Sequence, residues 1–157
     1  RLMKNLSLLF SFLLILFFSG CSNTATGVSP QKGVKKVKKE YYTGGMLRSE
    51  FLMYDDTGMN GVRKHYGYEG KLTSVAEIRN GVKHGIEKWY DKEGRIIQTV
   101  PYDNGRKEGL QTAYYPNGTP MITTTFKKDI RHGPTVIYKV DGSIHEKIIY
   151  RNGKAIR

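Results

Sequence analysis

Apolar and polar residues alternate along residues 41–157 in short runs, and turn-forming residues separate these runs. After the triplet Lys92-Glu93-Gly94, for example, Ile96, Val100 and Tyr102 are spaced by even numbers. Even spacing places side chains on one face of a β-strand, because strand side chains alternate with a period of two. The pattern predicts many short strands, and it favours helix only in the N-terminal segment.

The turns and strands recur with a period of 24 residues. Tyrosine occupies one column of the repeat, at Tyr66, Tyr90, Tyr114 and Tyr138. Glycine occupies three further columns: Gly45, Gly70, Gly94, Gly118 and Gly142; Gly61, Gly85, Gly109 and Gly133; and Gly81, Gly105 and Gly153. The last column is the second residue of an Asn-Gly pair, which the fourth unit replaces by Lys128-Asp129. Such regularity indicates a repeat protein, in which neighbouring units bury what one unit alone leaves exposed.

Each unit carries two turn signals and therefore predicts a β-hairpin. A glycine that ends a short loop suits a type I turn followed by a residue in the left-handed region. Asn-Gly suits a turn with positive φ. We therefore predict an all-β fold, an antiparallel meander of about ten short strands over residues 41–157. We also expect Tyr66, Tyr90, Tyr114 and Tyr138 to stack as a ladder between repeats.

Three segments resemble one known repeat family. They are Asn80-Gly-Val-Lys-His-Gly85 with Trp89-Tyr90, Asn104-Gly-Arg-Lys-Glu-Gly109 with Tyr114, and Arg131-His-Gly133 with Tyr138. They resemble the MORN-repeat-variant family, the bacterial relatives of MORN repeats. The resemblance implies an elongated sheet of hairpins. Bacterial members often carry an antitoxin designation, whereas eukaryotic MORN arrays are linked to membrane attachment and scaffolding. This chain lacks most of the additional glycines of the eukaryotic pattern, so phospholipid binding carries over poorly.

The N-terminal segment predicts export. Arg1 and Lys4 precede an apolar stretch from Leu6 to Phe18, which is shorter than the ~20 residues of a transmembrane helix. We therefore interpret residues 1–20 as a helical signal peptide. Phe18-Ser19-Gly20-Cys21 resembles the bacterial lipobox, although an aromatic residue replaces the usual aliphatic one. The resemblance implies lipidation of Cys21 and a membrane-anchored lipoprotein at the outer membrane, in the periplasm or at the cell surface.

Residues 21–40 predict a disordered, flexible tether that is rich in lysine. Its lysines include Lys32, Lys35, Lys36, Lys38 and Lys39. Near a lipid anchor these cations would be attracted to an anionic surface. Alternatively, their mutual repulsion keeps a solvated tether extended.

Composition and charge narrow the function further. A single Cys excludes an internal disulfide framework, and a formal charge of +12 favours anionic neighbours. Lys83, Lys107 and Arg131 share one repeat column and form a candidate basic stripe. This stripe suits an anionic polymer or an acidic protein, or it serves solubility alone. Aromatic rows with cations are also compatible with nucleic acid, but the export signal argues against that partner.

No motif indicates an enzyme, a metal site or a cofactor. His84 and His132 share a column just before a glycine, and Glu108 and Asn60 occupy the same column in other units. We therefore expect a turn residue whose ring hydrogen-bonds the backbone rather than a metal ligand. No Ser lies in a nucleophile motif, and no glycine belongs to a phosphate-binding loop.

Two functions from different classes follow. The first is a lipid-anchored β-repeat module of the cell envelope that binds a protein or an anionic glycan or lipid. The second is an antitoxin or immunity protein that neutralises a toxin by direct binding. A toxin gene beside this one, or rescue of toxin-expressing cells, would favour the second.

Overall fold

The computed structural model describes residues 33–156, which form a single antiparallel sheet of twelve strands. The predicted all-β meander is confirmed, with twelve strands rather than about ten. The proposed signal peptide, Cys21 and the first part of the tether lie outside the described residues. A helix of the length and apolar character needed to cross a bilayer is absent from residues 33–156.

The strands follow one another in space almost as they do in sequence. Their bounds are β1 Lys36–Tyr41, β2 Leu47–Met53, β3 Gly61–Tyr66, β4 Leu72–Arg79, β5 Val82–Tyr90, β6 Ile96–Asp103, β7 Arg106–Lys107, β8 Gly109–Tyr114, β9 Pro120–Lys127, β10 Ile130–Tyr138, β11 Ile144–Arg151 and β12 Lys154–Ile156. The short β7 and β8 both pair with β6 and flank Glu108, whose N–H donates to the Pro101 carbonyl at 3.2 Å. Together, β7 and β8 occupy the single strand position between β6 and β9.

The first predicted turn closes five hairpins with the same geometry. In the third of them, the Asp91 N–H donates to the Arg95 carbonyl and the Gly94 N–H donates to the Asp91 carbonyl, both at 3.0 Å. Gly94 has a φ of 80°, in the left-handed region that favours glycine. This is the predicted type I turn followed by a left-handed residue.

The Asn-Gly column forms the second turn and links each repeat to the one before it. Asn80 and Gly81 have φ values of 51° and 80°, as a type I′ turn requires. The N–H of the second turn residue then donates to a carbonyl of the preceding unit. These bonds are Gly81 to Met59 at 2.8 Å, Gly105 to Lys83 at 2.8 Å, Asp129 to Lys107 at 2.9 Å and Gly153 to Arg131 at 2.9 Å. The backbone carbonyls of the basic-stripe residues Lys83, Lys107 and Arg131 therefore each accept a hydrogen bond from the turn of the next unit.

Cross-strand pairing divides the side chains between two faces of the sheet. Phe51 pairs with Arg63 and Arg63 pairs with Ala76, so these residues share one face. We call it the ladder face, because the ladder of cations and aromatic rings described below lies on it. Val62 and Val75 lie on the opposite face. Buried apolar side chains occur on both faces: Phe51, Ala76, Ile78 and Val100 on the ladder face, and Val62, Val75 and Val136 on the opposite face. Apolar burial is thus shared along the sheet, as expected of a repeat array.

The structure corrects the boundary of the predicted tether. Lys36–Tyr41 form β1, so the array begins within the segment that the sequence predicts as disordered up to residue 40. The strand pairs with β2, and Lys39 Nζ lies 3.4 Å from the Glu50 carboxylate across that pair. Sequence pattern misses β1 because its side chains are mostly exposed and it is held by backbone pairing. Lysines on such an edge also discourage pairing with further strands.

Candidate interaction surface

The basic stripe interleaves with aromatic rings of the next repeat. Lys83 Nζ lies 5.0 Å from the centre of the Tyr102 ring, and Lys107 Nζ lies 5.0 Å from the centre of the Phe126 ring. The Arg131 guanidinium carbon lies 5.1 Å from the centre of the Tyr150 ring. Strand pairing also places Lys107 opposite Tyr102 and Arg131 opposite Phe126. We call the six residues the cation–aromatic ladder: Lys83, Tyr102, Lys107, Phe126, Arg131 and Tyr150.

Each cation of the ladder has a different hydrogen-bond partner. Lys83 Nζ donates to both carboxylate oxygens of Glu87, at 2.7 and 2.8 Å, and Glu87 is only 2% exposed. Lys107 Nζ donates to the neutral Gln111 Oε1 at 3.1 Å, and Arg131 donates to the Tyr150 hydroxyl at 3.2 Å. Lys83 is therefore neutralised within the sheet, whereas Lys107 and Arg131 retain an uncompensated charge.

Lys107 and Arg131 belong to a larger cluster of cations around the last three Asn-Gly-type turns. We call this cluster the basic edge, and its members are Arg106, Lys107, Lys127, Lys128, Arg131, Arg151 and Lys154. All of them except the half-buried Lys107 are exposed. Every ion pair found in residues 33–156 involves residues no later than Asp103, so none neutralises this cluster.

Two carboxylates beside the basic edge, those of Glu108 and Asp129, bind backbone groups instead of side-chain cations. Glu108 Oε2 accepts from the Lys128 N–H at 2.8 Å, and Asp129 Oδ1 accepts from the Lys107 N–H at 2.7 Å. These bonds connect neighbouring turns. A shallow concavity of about 500 Å³ lies there, lined by Asp103, Asn104, Arg106, Glu108 and Lys128. The basic edge is thus a set of hydrogen-bonded turns that presents positive side chains to solvent.

Asn60 and Glu108, which share a repeat column with His84 and His132, cap neighbouring turns. Asn60 Oδ1 accepts from the Asn80 N–H at 3.1 Å, as Glu108 does from Lys128 one unit further on. These bonds are made by the members of the column that are not histidines, and the predicted bond from the ring to the backbone is not found at His84 Nδ1. His84 differs, because its Nδ1 is buried without a hydrogen bond and lies 3.5 Å from the Asp103 carboxylate. Within residues 33–156 no group of three His, Cys, Asp or Glu is placed to hold a metal ion.

The tyrosine column does not stack as predicted. Among residues 33–156 the one ring pair in contact is Tyr42 with Tyr68, whose centroids are 4.1 Å apart. Members of the column lie two strands apart, ~9.5 Å at ordinary strand spacing, which is too far for ring contact. Each tyrosine instead follows a register shift just before a hairpin loop, as Tyr90 does after Trp89.

Tyr66 and Tyr102 illustrate the electrostatics of the sheet. Burial, together with a hydrogen bond of 2.8 Å from its hydroxyl to Glu50, raises the pKa of Tyr66 to about 12. Burial and the nearby charge of Glu87 raise the pKa of Tyr102 to about 12 as well. Both hydroxyls therefore stay protonated at neutral pH and add no negative charge to the sheet.

A second concavity, of about 390 Å³, lies on the ladder face at β1–β3. Ser49 and Phe51 line it between Lys38 and Glu40 on one side and Arg63 and His65 on the other. The Glu40 carboxylate accepts from Arg48 and Ser49, each at 3.0 Å, and these bonds lower the pKa of Glu40 to about 2. Arg63 lies 4.8 Å from the centre of the Phe51 ring and forms no ion pair within residues 33–156.

The predicted glycines adopt the conformations that their columns require, with one exception. Positive φ is found at Gly45, Gly70, Gly81, Gly85, Gly94, Gly105, Gly109, Gly118, Gly133, Gly142 and Gly153. Gly61 lacks positive φ and is required for space, because a Cβ atom there would collide with the Leu52 carbonyl and the Phe51 ring.

Sequence reasoning did not single out Arg63 or the basic edge as a cluster. A comparison of equivalent positions finds residues that recur between units, so it misses residues that differ between them.

The geometry defines a β-hairpin repeat protein, and comparison with known proteins identifies the repeat. Residues 83–104 and 107–128, two consecutive segments, match the family described as "MORN repeat variant". No curated protein matches the chain. A solved structure described as "Crystal Structure of TarM" is similar with a TM-score of 0.32 and 11% identity, over 76% of this chain and 22% of that one. The chain thus spans about a fifth of that protein's length.

Proposed function

We propose that this chain is an anchored interaction module of the cell envelope whose basic edge binds an anionic partner. The observation that carries the proposal is the concentration of seven cations around the last three Asn-Gly-type turns, none of which forms an ion pair within residues 33–156. Exposed charges of one sign raise the local concentration of oppositely charged partners and accelerate their association. A set of fixed turns presents these charges without a large loss of backbone freedom on binding.

The anchor is part of the same proposal. The basic start, the apolar stretch and the lipobox-like Cys21 support export and lipidation. Two or more acyl chains give stable membrane attachment. The array would then act close to a membrane, where anionic glycans, lipid headgroups and acidic proteins are available partners. Nothing in residues 33–156 specifically favours the antitoxin alternative, which predicts a toxin partner and rescue of toxin-expressing cells.

Matched charge-removal variants test the binding surface. The edge variant Arg106→Gln, Lys127→Gln and Lys154→Gln removes three exposed cations that have no ion-pair partner in residues 33–156. The control variant Lys35→Gln, Lys71→Gln and Lys92→Gln removes three exposed cations that pair with Asp56, Glu69 and Glu93. Both variants lose the same net charge.

The measurement is the affinity of the full chain for polygalacturonate, an anionic polymer, at low and at physiological salt. We expect the edge variant to lose about tenfold or more, since each exposed cation contributes ~0.5–1 kcal/mol. The control variant should lose much less, and salt should weaken binding by the wild type. Equal losses in the two variants would show that net charge alone, and not the basic edge, is responsible.

A further inference from the structure

A row of exposed apolar side chains crosses the face of the sheet opposite the cation–aromatic ladder. Ile86 and Leu110 are 59% and 52% exposed, and Ile149 and Ile156 are 36% and 41% exposed. Pro134 is exposed and Pro101 is half-buried. Apolar side chains that are exposed together and bordered by polar residues mark interaction sites. We call these six residues the apolar row: Ile86, Pro101, Leu110, Pro134, Ile149 and Ile156.

Strand pairing places the members of the row side by side. The β6–β8 register brings Leu110 beside Pro101, and the Thr125 hydroxyl donates to the Pro134 carbonyl at 3.2 Å across β9 and β10. Thr125 is the one polar residue that interrupts the row. The cross-strand pairs are Ile86 with Pro101, Leu110 with Thr125, Pro134 with Ile149 and Ile149 with Ile156.

Three members of the row share one repeat column and lie where strand pairing is interrupted. Ile86, Leu110 and Pro134 each follow a glycine with positive φ, at Gly85, Gly109 and Gly133. The register shifts beside the first and the third of these glycines, and the second separates β7 from β8. Such bulges re-aim side chains and are frequent beside functional sites. The equivalent Val62 is only 6% exposed, so the row begins at Ile86.

Cations border the row on the same face. Lys127 lies two residues from Thr125 along β9, and Lys147 and Arg151 lie two residues on either side of Ile149 along β11. All three cations are exposed, and none forms an ion pair within residues 33–156. The one carboxylate in strands β9–β12 is that of Glu146, which lies on the ladder face. The apolar row is therefore complementary to an apolar stripe that is flanked by carboxylates.

The spacing of the row selects the shape of the partner. Adjacent strands are ~4.8 Å apart, so the row spans about 29 Å from β5 to β12. In an amphipathic α-helix, successive residues of the apolar stripe are ~5 Å apart along the axis. Side chains on one face of an extended strand are ~6.7 Å apart and would lose register with the row after about three positions. A helix of about 19 residues therefore matches the row, with one apolar side chain at each strand.

We propose that the apolar row binds an amphipathic α-helix of a partner protein, whose apolar stripe lies across the strands and whose flanking carboxylates pair with the bordering cations. The inference rests on the proposed function and specifies its anionic partner as an acidic helix. Helices that bind along a surface use apolar anchors at spacings of three and four residues. The row also continues into the basic edge, because Asp103, two residues from Pro101, pairs with Arg106 on this face, and both line the concavity of about 500 Å³.

Other occupants match these observations less well. Two copies of the chain packed face to face would each contribute an excess of cations, and like charges across an interface weaken association. An anionic lipid surface would attract the same cations, but it has no feature that corresponds to the spacing of the row. A helix uses both the charge and the spacing.

The test uses two synthetic peptides of about 19 residues and equal composition, both acidic and able to form helices. The stripe peptide has leucines on one helical face and glutamates beside them, whereas the scrambled peptide has its leucines distributed around the helix. Fluorescence anisotropy of the labelled peptides measures their affinity for the full chain. We expect the stripe peptide to bind about tenfold more tightly and to gain helical circular dichroism on binding, because only its leucines reach the row together.

Matched variants assign the binding to the row. The row variant Ile86→Thr with Leu110→Thr should weaken the stripe peptide about tenfold and leave the scrambled peptide and polygalacturonate unaffected. The control variant Val140→Thr with Ile144→Thr alters apolar side chains that are 58% and 59% exposed outside the row, and it should change neither affinity. Unchanged affinity for polygalacturonate also shows that the row variant is folded. If the double variant folds poorly, Ile86→Thr alone provides the same comparison.

Three outcomes would overturn the inference. They are equal affinity for the two peptides, equal losses in the row and control variants, and a row variant that loses self-association in sedimentation or binding to phosphatidylglycerol vesicles while its affinity for the stripe peptide is unchanged. Any of these, together with a loss of polygalacturonate binding in the edge variant, would leave the proposed function standing. An edge variant that binds polygalacturonate as the wild type does would instead refute the proposed function itself.

Discussion

Replacing Lys83 by methionine should destabilise the array much more than the same change at Lys107. Glu87 is 2% exposed and accepts from Lys83 Nζ at 2.7 and 2.8 Å, so Lys83→Met leaves a buried carboxylate without its cation. Breaking a fully buried pair costs about 3–5 kcal/mol. Lys83 itself is 38% exposed, so water partly replaces it, and we expect about 2–3 kcal/mol.

Lys107→Met is the matched control. Lys107 occupies the same repeat column and lies at the same 5.0 Å from an aromatic ring, but its hydrogen-bond partner is the neutral Gln111. Loss of a cation–π contact and one hydrogen bond should cost about 1 kcal/mol. The assay is urea denaturation followed by far-ultraviolet circular dichroism and by Trp89 fluorescence. In the Lys83→Met background, Glu87→Gln should recover about 1 kcal/mol by removing the buried charge. Equal destabilisation by the two methionine variants would refute the reasoning.

Further predictions concern the turns, an edge carboxylate and the anchor. Gly94→Val should cost about 1–2 kcal/mol, because its φ of 80° is unfavourable for a β-branched residue, and unchanged denaturation would contradict the turn assignment. Lys128→Asn should stabilise by about 0.5 kcal/mol, since Asn tolerates a φ of 49° better, and a lower denaturation midpoint would count against this. Because the pKa of Glu40 is lowered from 4.5 to about 2, its carboxylate stabilises the fold above pH 4.5, and this stabilisation is lost as the pH falls through about 2. The Glu40→Gln variant should therefore lose less stability than the wild type over this pH range, measured by denaturation at stepwise pH values. Identical losses in the two proteins would argue against the pairing. Cys21→Ser should abolish membrane partitioning in fractionation, and unchanged partitioning would refute the anchor.

The hairpins could be predicted from sequence because their turns are set by local backbone chemistry. Gly94 requires positive φ, and Asn80-Gly81 specifies a type I′ turn, so both turns and the strands between them follow directly. The strand β1 could not be predicted, because Lys36–Tyr41 bury little and are held by pairing with β2. The prediction of a tyrosine ladder was wrong for a geometric reason. One repeat comprises two strands, so equivalent tyrosine rings lie two strands apart.

The candidate surfaces required the register between strands. Sequence columns identified Lys83, Lys107 and Arg131, but not that each cation lies over an aromatic ring of the following unit. Sequence columns also do not reveal which cations lack an ion-pair partner. Glu108 and Asp129 lie near cations in the sequence, but their carboxylates bind backbone N–H groups of other turns.

Mapping of backbone amide shifts by nuclear magnetic resonance tests the basic edge most directly. The full chain is titrated with polygalacturonate, and perturbed residues are placed on the sheet. Binding at the basic edge predicts the largest shifts in the turns at residues 103–108, 127–131 and 151–154, and these shifts should diminish with added salt. Shifts confined to the loops at the other ends of the strands, or to the opposite face of the sheet, would contradict the proposed surface.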